Sequence, residues 1–177
     1  MNTPILETPR LFLRLPTVAD AQEVFNNWAS DADVAKYVRW SVHETIDTTL
    51  EYLTQAEQGK SNDKTFDWLF ELKETGELIG SGGIFWDDEL NMFEIGYVIA
   101  KNHWSNGFAT EAARAIVDFA VGELKQTSLS VKHAKENIGS GKVIEKLGFV
   151  YTKDGEYSSF DGLRIFQCRE YILEVST

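Results

Sequence analysis

Phe93-Glu-Ile-Gly-Tyr-Val-Ile-Ala100, with Trp104-Ser-Asn-Gly107-Phe-Ala109-Thr110-Glu111-Ala112 three residues beyond it, decides how this chain is read. An apolar run of strand character ends in a glycine-containing loop that turns directly into an alanine-rich helix. The first backbone N–H groups of any helix have no intrahelical acceptor, so such a junction is a ready-made anion site. Small residues at Gly107 and Ala109 let a phosphate approach the backbone closely. The loop is neither a Walker motif, since Gly107 is not followed by Gly-Lys-Ser/Thr, nor a G-x-G-x-x-G dinucleotide loop. A glycine ahead of a helix is by itself only a turn; the residues around this one give it meaning.

Working outward, the helix after Gly107 extends to Leu124 and carries Ala109, Ala112, Ala113, Ile116, Phe119, Ala120 and Leu124 on one broad apolar stripe. Ahead of it, strands are expected at Phe66–Lys73, Leu78–Trp86 and Met92–Ile99. A tight turn at Glu74-Thr-Gly76-Glu joins the first two, and a polar turn at Asp87–Asn91 the second two. Gly80, Gly82 and Gly83 mark a bulge or a close approach of another backbone. Earlier still, Leu11–Leu15 reads as a strand closed by Pro16. Thr17 and Asp20 open a helix with Ala21, Val24, Phe25 and Trp28 on one face. Ser41-Val-His-Glu44 has the capping-box pattern, opening a helix with Ile46, Leu50 and Leu53 inward and Gly59 as its stop. Lys60 to Lys64 is a polar loop. Downstream come a short strand at Ser128–Lys132, a helix at Ile138–Leu147 ended by Gly148, and a closing strand pair at Val150–Tyr157 and Ile165–Leu173. The order β-α-α-β-β-β-α-β-α-β-β describes one α/β domain with a mixed sheet over residues 1–177.

The chain of 177 residues is long enough for one continuous core, and 43% hydrophobic and 12% aromatic content suit a sheet-rich globule. No apolar run approaches the ~20 residues that span a bilayer, and no signal peptide is evident. A single cysteine, Cys168, leaves no internal disulfide and fits a reducing cytoplasm. His43, His103 and His133 are too scattered to predict a metal centre. A net charge of −11 argues against nucleic acid as partner. Residues 101–146 nonetheless carry seven basic residues against five acidic ones. The phosphate loop therefore sits in a locally basic segment, while the acidic remainder suits a cationic second substrate.

Further motifs stand in a recognisable order: Thr8-Pro-Arg-Leu-Phe-Leu-Arg14 with Asp20-Ala21, then Phe93-Glu-Ile-Gly-Tyr-Val98, the loop at Gly107, Asn137-x-x-Ser140, and Glu145-Lys-Leu-Gly-Phe149. Together they resemble the GNAT superfamily of acetyl-CoA-dependent N-acetyltransferases, and within it the branch of ribosomal-protein alanine N-acetyltransferases. The resemblance spans about Thr8 to Tyr171. It implies a mixed, mostly antiparallel central sheet flanked by helices, whose fourth and fifth strands splay to admit the cofactor. Acetyl-CoA would be the co-substrate, without a metal. Its pyrophosphate would lie on the backbone of Trp104, Ser105, Asn106, Gly107, Phe108, Ala109 and Thr110, and its pantetheine along the backbone of Tyr97, Val98 and Ile99. The family's loop begins with Gln or Arg where this chain has Trp104; main-chain contacts make that departure tolerable. Dimerisation through the last strands is common in the family, though no residue here specifies a homodimer.

Acetyl transfer to an amine needs a proton acceptor for the ammonium, a donor for the oxyanion, and a hydrogen bond or proton for the leaving thiolate. Glu94 is the candidate base. The resemblance puts a catalytic glutamate at this strand position, and burial would raise its pKa into a useful range; alternation with Phe93 and Ile95 also allows a glutamate on a solvated face. The family's tyrosine, seven residues after Asn137, is Ile144 here, so Ser140 becomes the hydrogen-bond donor to the sulfur. Asn137 orients the cofactor or simply caps the helix that starts at Ile138. For Tyr97 the backbone is expected to matter rather than the phenol, and Thr110 and Glu111 are expected to cap the third helix. Arg39, Trp40, Phe85 and Trp86 line the acceptor mouth or pack as core and rim. The acceptor is a peptide N-terminus or a small-molecule amine. At pH 7 deprotonation costs an α-amine of pKa ~8 roughly 1.4 kcal/mol and a lysine of ~10.4 roughly 4.6, so a modest base suits the α-amine better. A non-catalytic acyl-CoA-binding or regulatory module is the competing expectation, and the missing tyrosine is its support.

Overall fold

The computed structural model describes residues 1–59 and 62–176; the first two residues of the expected loop at 60–64 lie outside the described residues. Eight strands form one sheet: β1 (Leu6–Glu7), β2 (Leu11–Arg14), β3 (Thr65–Leu72), β4 (Leu78–Asp87), β5 (Met92–Ile99), β6 (Ser128–Ala134), β7 (Val150–Ser158) and β8 (Ile165–Glu174). Their spatial order is β1-β2-β3-β4-β5-β6-β8-β7. Every neighbouring pair is antiparallel except β5 and β6, which run parallel. Four α-helices, α1 (Ala21–Val24), α2 (Ile46–Gln58), α3 (Phe108–Gly122) and α4 (Ile138–Lys146), cover the two faces.

Strand alternation sorts the core. Phe66, Trp68 and Phe70 of β3, Ile84 of β4, and Phe93, Ile95 and Ile99 of β5 face α3, meeting Ala112, Ala113, Ile116, Phe119 and Ala120. Alanines on that stripe let the helix lie close to the sheet, and Phe119 inserts edge-on between Phe66 and Trp68, with centroids 5.2 and 5.3 Å away. On the opposite face Leu69, Leu78 and Val98 pack under Ala21, Val24, Trp28 and Leu53. The stretch around α1 is not one regular helix. A 3₁₀ turn at Val18–Asp20 leads into α1, and a π-turn at Phe25–Ala29 follows.

Several local expectations need correction. The short strand β1 was not foreseen, because two residues carry no period. Thr45, not Ser41, stands at the N-terminal cap position of helix α2, without a side-chain cap hydrogen bond; the Ser41 hydroxyl donates to Asp161 at 2.9 Å. Leu50 is 38% exposed, and Thr49 takes the buried place, held by the His43 ring nitrogen at 2.7 Å. Helix α3 ends at Gly122 rather than Leu124. Both readings for the glycines of β4 hold. In close approach, a Cβ on Gly83 would stand 2.3 Å from the Phe66 carbonyl oxygen, and one on Gly80 would stand 2.2 Å from that of Val98. The bulge lies in β4 as well, at Ile79 beside Gly80, where Phe70 pairs with Gly80 and Glu71 with Leu78.

Candidate active site

The site forms where the sheet comes apart. β5 and β6 pair only at Phe93 with Leu129 and Glu94 with Ser130. Beyond Glu94 the strands diverge, so Ile95 to Ile99 present a strand edge to a wedge-shaped gap. This is the splay expected between the fourth and fifth strands, which are β5 and β6 once the short β1 is counted.

At the open end of the wedge Ile99 leads through Lys101–His103 into the loop before α3. Gly107 adopts the left-handed conformation with φ +81° as the residue ahead of α3, which a side chain would oppose. Among the described residues, the backbone N–H groups of residues 105–110 have no backbone acceptor, the condition for holding an anion. The Trp104 indole donates to the Ile99 carbonyl at 2.7 Å, and the Asn106 amide donates to the carbonyls of His103 and Trp104, so side chains fix the loop while its amides stay free. Phe108 points into the core under the Arg10 guanidinium, 4.1 Å from its ring centre. Neither Thr110 nor Glu111 caps α3, contrary to expectation: the helix has no side-chain cap. The Glu111 carboxylate instead accepts from the Thr8 hydroxyl at 2.6 Å and from Arg10 N and Nε at 3.0 and 2.8 Å, tying the turn between β1 and β2 to the loop.

At the closed end lies Glu94. It is 7% exposed, which excludes the solvated-face alternative. Lys132 of β6 reaches its Oε2 at 3.2 Å. Burial pushes the Glu94 carboxyl above its ordinary range, with Lys132 and Arg39 pulling against that and Asp87 reinforcing it. Period-two alternation points Glu94 away from α3, to the face that also carries Phe85, its register partner on β4. Trp86 points the other way and packs edge-on against Phe93, 5.1 Å between centroids, partly buried against the core on the α3 face. A Cβ built on Gly96 would meet nothing within 4 Å, so there is open space beside Glu94 on the Phe85 face.

Across the wedge, α4 begins at Asn137, whose Oδ1 accepts from Ser140 N at 3.3 Å; this asparagine is an N-cap. The Ser140 hydroxyl stands 3.2 Å from the Tyr97 phenol oxygen. The Tyr97 phenol thus bridges β5 to α4 on the α3 face, while Ile144 is fully buried in the core. Burial pushes Tyr97 up to about 12, with the Ser140 hydrogen bond working against that.

Arg39 and Trp40 lie in the segment between α1 and α2, which the β7–β8 turn holds down. Arg164 donates to the carbonyls of Ala35, Val38 and Trp40 at 3.0, 3.3 and 2.9 Å, Phe160 N donates to the Arg39 carbonyl at 2.8 Å, and the Tyr157 hydroxyl donates to that of Tyr37 at 2.6 Å. Two residues escaped the sequence reading. Lys132 gave no local sign of its partner. Asp67 did: it sits between Phe66 and Trp68 as Glu94 sits between Phe93 and Ile95. Its carboxyl leans over Gly83, the register partner of Gly96, and burial raises it to about 6.

A family described as the acetyltransferase (GNAT) domain matches residues 10–150. The uncharacterized protein YkkB of Bacillus subtilis (strain 168) is 33% identical over 150 residues, covering 84% of this chain and 86% of that protein. The uncharacterized N-acetyltransferase YoaA of the same organism is 31% identical over 147 residues, 82% of each. The fold is similar to that of the ribosomal α-N-protein acetyltransferase RimL in complex with coenzyme A, with a TM-score of 0.83 at 12% identity, over 97% of this chain and 98% of that one. With the splayed strands, the free amides ahead of α3 and a family match that spans residues 10–150, the chain belongs to the acetyltransferase (GNAT) domain family.

Proposed function

We propose that this protein moves the acetyl group of acetyl-CoA to a primary amine by direct attack within a ternary complex. The observation that carries this reading is the continuity of the wedge. One unpaired strand edge runs from the free amides at Ser105–Thr110 to buried Glu94, with a hydroxyl pair on its far wall. Coenzyme A fits this edge chemically. The left-handed Gly107 and the amides after it suit its pyrophosphate, and the backbone of Tyr97, Val98 and Ile99 suits its pantetheine amides. When bound, it supplies an acetyl thioester.

The residues then divide the work. Glu94, made more basic by burial, takes the proton that the acceptor ammonium must lose, directly or through a water in the space over Gly96. Lys132 keeps a carboxylate tolerable in that setting. Ser140 donates a hydrogen bond to the departing sulfur, and Tyr97 donates to Ser140 in turn. A phenol near 12 is too weak an acid to protonate a thiolate of ordinary pKa ~8.5 fully, so the pair acts by hydrogen bonding. This pair puts a hydroxyl where Ile144 cannot, and so supports an enzyme over a non-catalytic binding module. Arg39, Trp40 and Phe85 border the acceptor side.

A thiol-release assay with acetyl-CoA against amino acids, N-terminal peptides, polyamines and aminoglycosides tests the proposal. Release with an acceptor, reduced about 10²-fold or more in Glu94→Gln while CoA still raises the melting temperature, supports it. CoA binding without release to any acceptor would move the binding-module reading ahead.

A further inference from the structure

Arg39 is the feature of this face that the fold itself does not explain. Its Nε is buried and, among the described residues, has no hydrogen-bond partner. A guanidinium carries five donors in a planar fork, and buried donors are ordinarily satisfied. Arg39 makes no ion pair among the described residues either; its neighbours are the rings of Tyr157 and Phe160, 5.7 and 5.9 Å from its central carbon. The arrangement is not a loose loop taken at random. Arg164 grips the carbonyls on both sides of Arg39, Phe160 N holds its own carbonyl, and Ser41 is tied to Asp161. The chain thus holds the backbone on both sides of this cation and, among the described residues, leaves its buried Nε without a partner.

The charges around it follow a pattern. Glu94 already has Lys132 as its partner, which leaves Arg39 as an uncompensated cation close enough to act on Glu94. On the same face Asp67 lies over Gly83 with no hydrogen bond or ion pair among the described residues, next to the open space above Gly96. Tyr52, whose hydroxyl burial makes a poorer acid, borders Asp67 from α2. Arg39 thus acts on Glu94 from one direction, while Asp67 lies on the same sheet face beside the open space over Gly96.

We infer that the acceptor is a small zwitterionic amino acid, its carboxylate held in the Arg39 fork and its amine turned toward Glu94 and Asp67. Arg–carboxylate pairing is bidentate and charge-assisted, and it would satisfy the buried Nε that has no partner among the described residues. The carboxylate then fixes the amine relative to Glu94, so binding energy spent away from the reacting nitrogen orients it. This inference rests on the transferase reading, narrowing its acceptor.

The experiment compares matched acceptors with acetyl-CoA: free L-amino acids, their carboxamides, the amines left by removing the carboxylate, and peptides with the same N-terminal residue. Thiol release and calorimetric binding to the CoA-loaded protein are both measured. The expected result is a kcat/KM for a free amino acid about 10-fold or more above its carboxamide and amine. Arg39→Met should lose that preference through a KM increase of about 10- to 100-fold, and Arg39→Lys should recover part of it. Unchanged CoA thermal shifts show that both variants fold. Equal or better use of the amine, carboxamide or peptide overturns the inference while the transferase reading stands. Arg39-dependent binding of an amino acid without thiol release supports the inference and removes the transferase reading. Absence of both binding and turnover across all amino acids overturns it as well.

Discussion

Gly83 and Gly96 are register partners on adjacent strands, yet alanine should have opposite consequences at the two positions. At Gly83 the new methyl would lie 2.3 Å from the Phe66 carbonyl oxygen, 2.9 Å from Asp67 Oδ1 and 3.2 Å from Asp67 Cα. A normal non-bonded contact is about 3.5–4.0 Å, so β3 and β4 would have to part by roughly 1 Å in the middle of the sheet. Overpacking of this kind costs about 1–3 kcal/mol, and replacing glycine restores about 0.4–1 by restricting the unfolded chain. Gly83→Ala should therefore be less stable by about 1–2 kcal/mol. At roughly 2–4 °C per kcal/mol for a chain of this size, the melting temperature falls by about 2–8 °C. At Gly96 the same methyl meets nothing within 4 Å, and the residue has no positive φ to strain. Gly96→Ala should gain about 0.4–1 kcal/mol and melt about 1–4 °C higher. That methyl also stands in the space beside Glu94, so kcat/KM for the acceptor should fall about 10-fold or more while CoA affinity is kept. Calorimetric melting with and without CoA, alongside steady-state kinetics, measures all of this. Equal destabilisation by the two variants, or an acceptor KM untouched by Gly96→Ala, would show that the open space is not the acceptor site.

Three other outcomes are expected. Asp67 titrates near 6 in the fold against an ordinary 3.8, so the native state binds the extra proton between those values and stability falls as pH rises through that window. Asp67→Asn should gain up to about 3 kcal/mol more at pH 8 than at pH 3.5, read from urea unfolding at the two pH values; a pH-independent difference would refute the assignment. Ser140→Ala and Tyr97→Phe should each lower kcat about 10-fold, with a double variant little worse than either. Coupling below about 0.5 kcal/mol in the cycle would mean that the two hydroxyls act separately. Gly107→Ala forces a side chain into a left-handed residue, costing about 1–2 kcal/mol, and should shrink the CoA-induced thermal shift; an unaltered shift would place the anion elsewhere.

What could be read along the chain was what local physics controls. The period-two run at Met92–Ile99, the glycine before α3 and the alanine stripe behind it announce themselves within a few residues, because pleat, turn conformation and helical repeat are local properties. The bounds of β5 agree with that reading, while the splay beyond it was implied only by the family resemblance. Helix starts were harder: Ser41-Val-His-Glu44 has the letters of a capping box, but Ser41 is drawn to Asp161 from 120 residues away, and the helix starts after Thr45 with no side-chain cap. Alternation separates Phe85 from Trp86 without saying which face is the core; that depended on where α3 lay.

The sequence by itself determined the order of the longer elements and the glycine turn ahead of α3, and it offered Glu94 and Ser140 as candidates. Tertiary structure alone decided who meets whom. Pairing Glu94 with Ser130 brings Lys132 to Glu94, the splay lets Tyr97 reach Ser140, and the β7–β8 turn holds the segment of Arg39, whose buried Nε has no partner among the described residues. These contacts join residues dozens of positions apart. Their geometry is set by strand register and by the packing of whole helices, and a period in the chain carries neither.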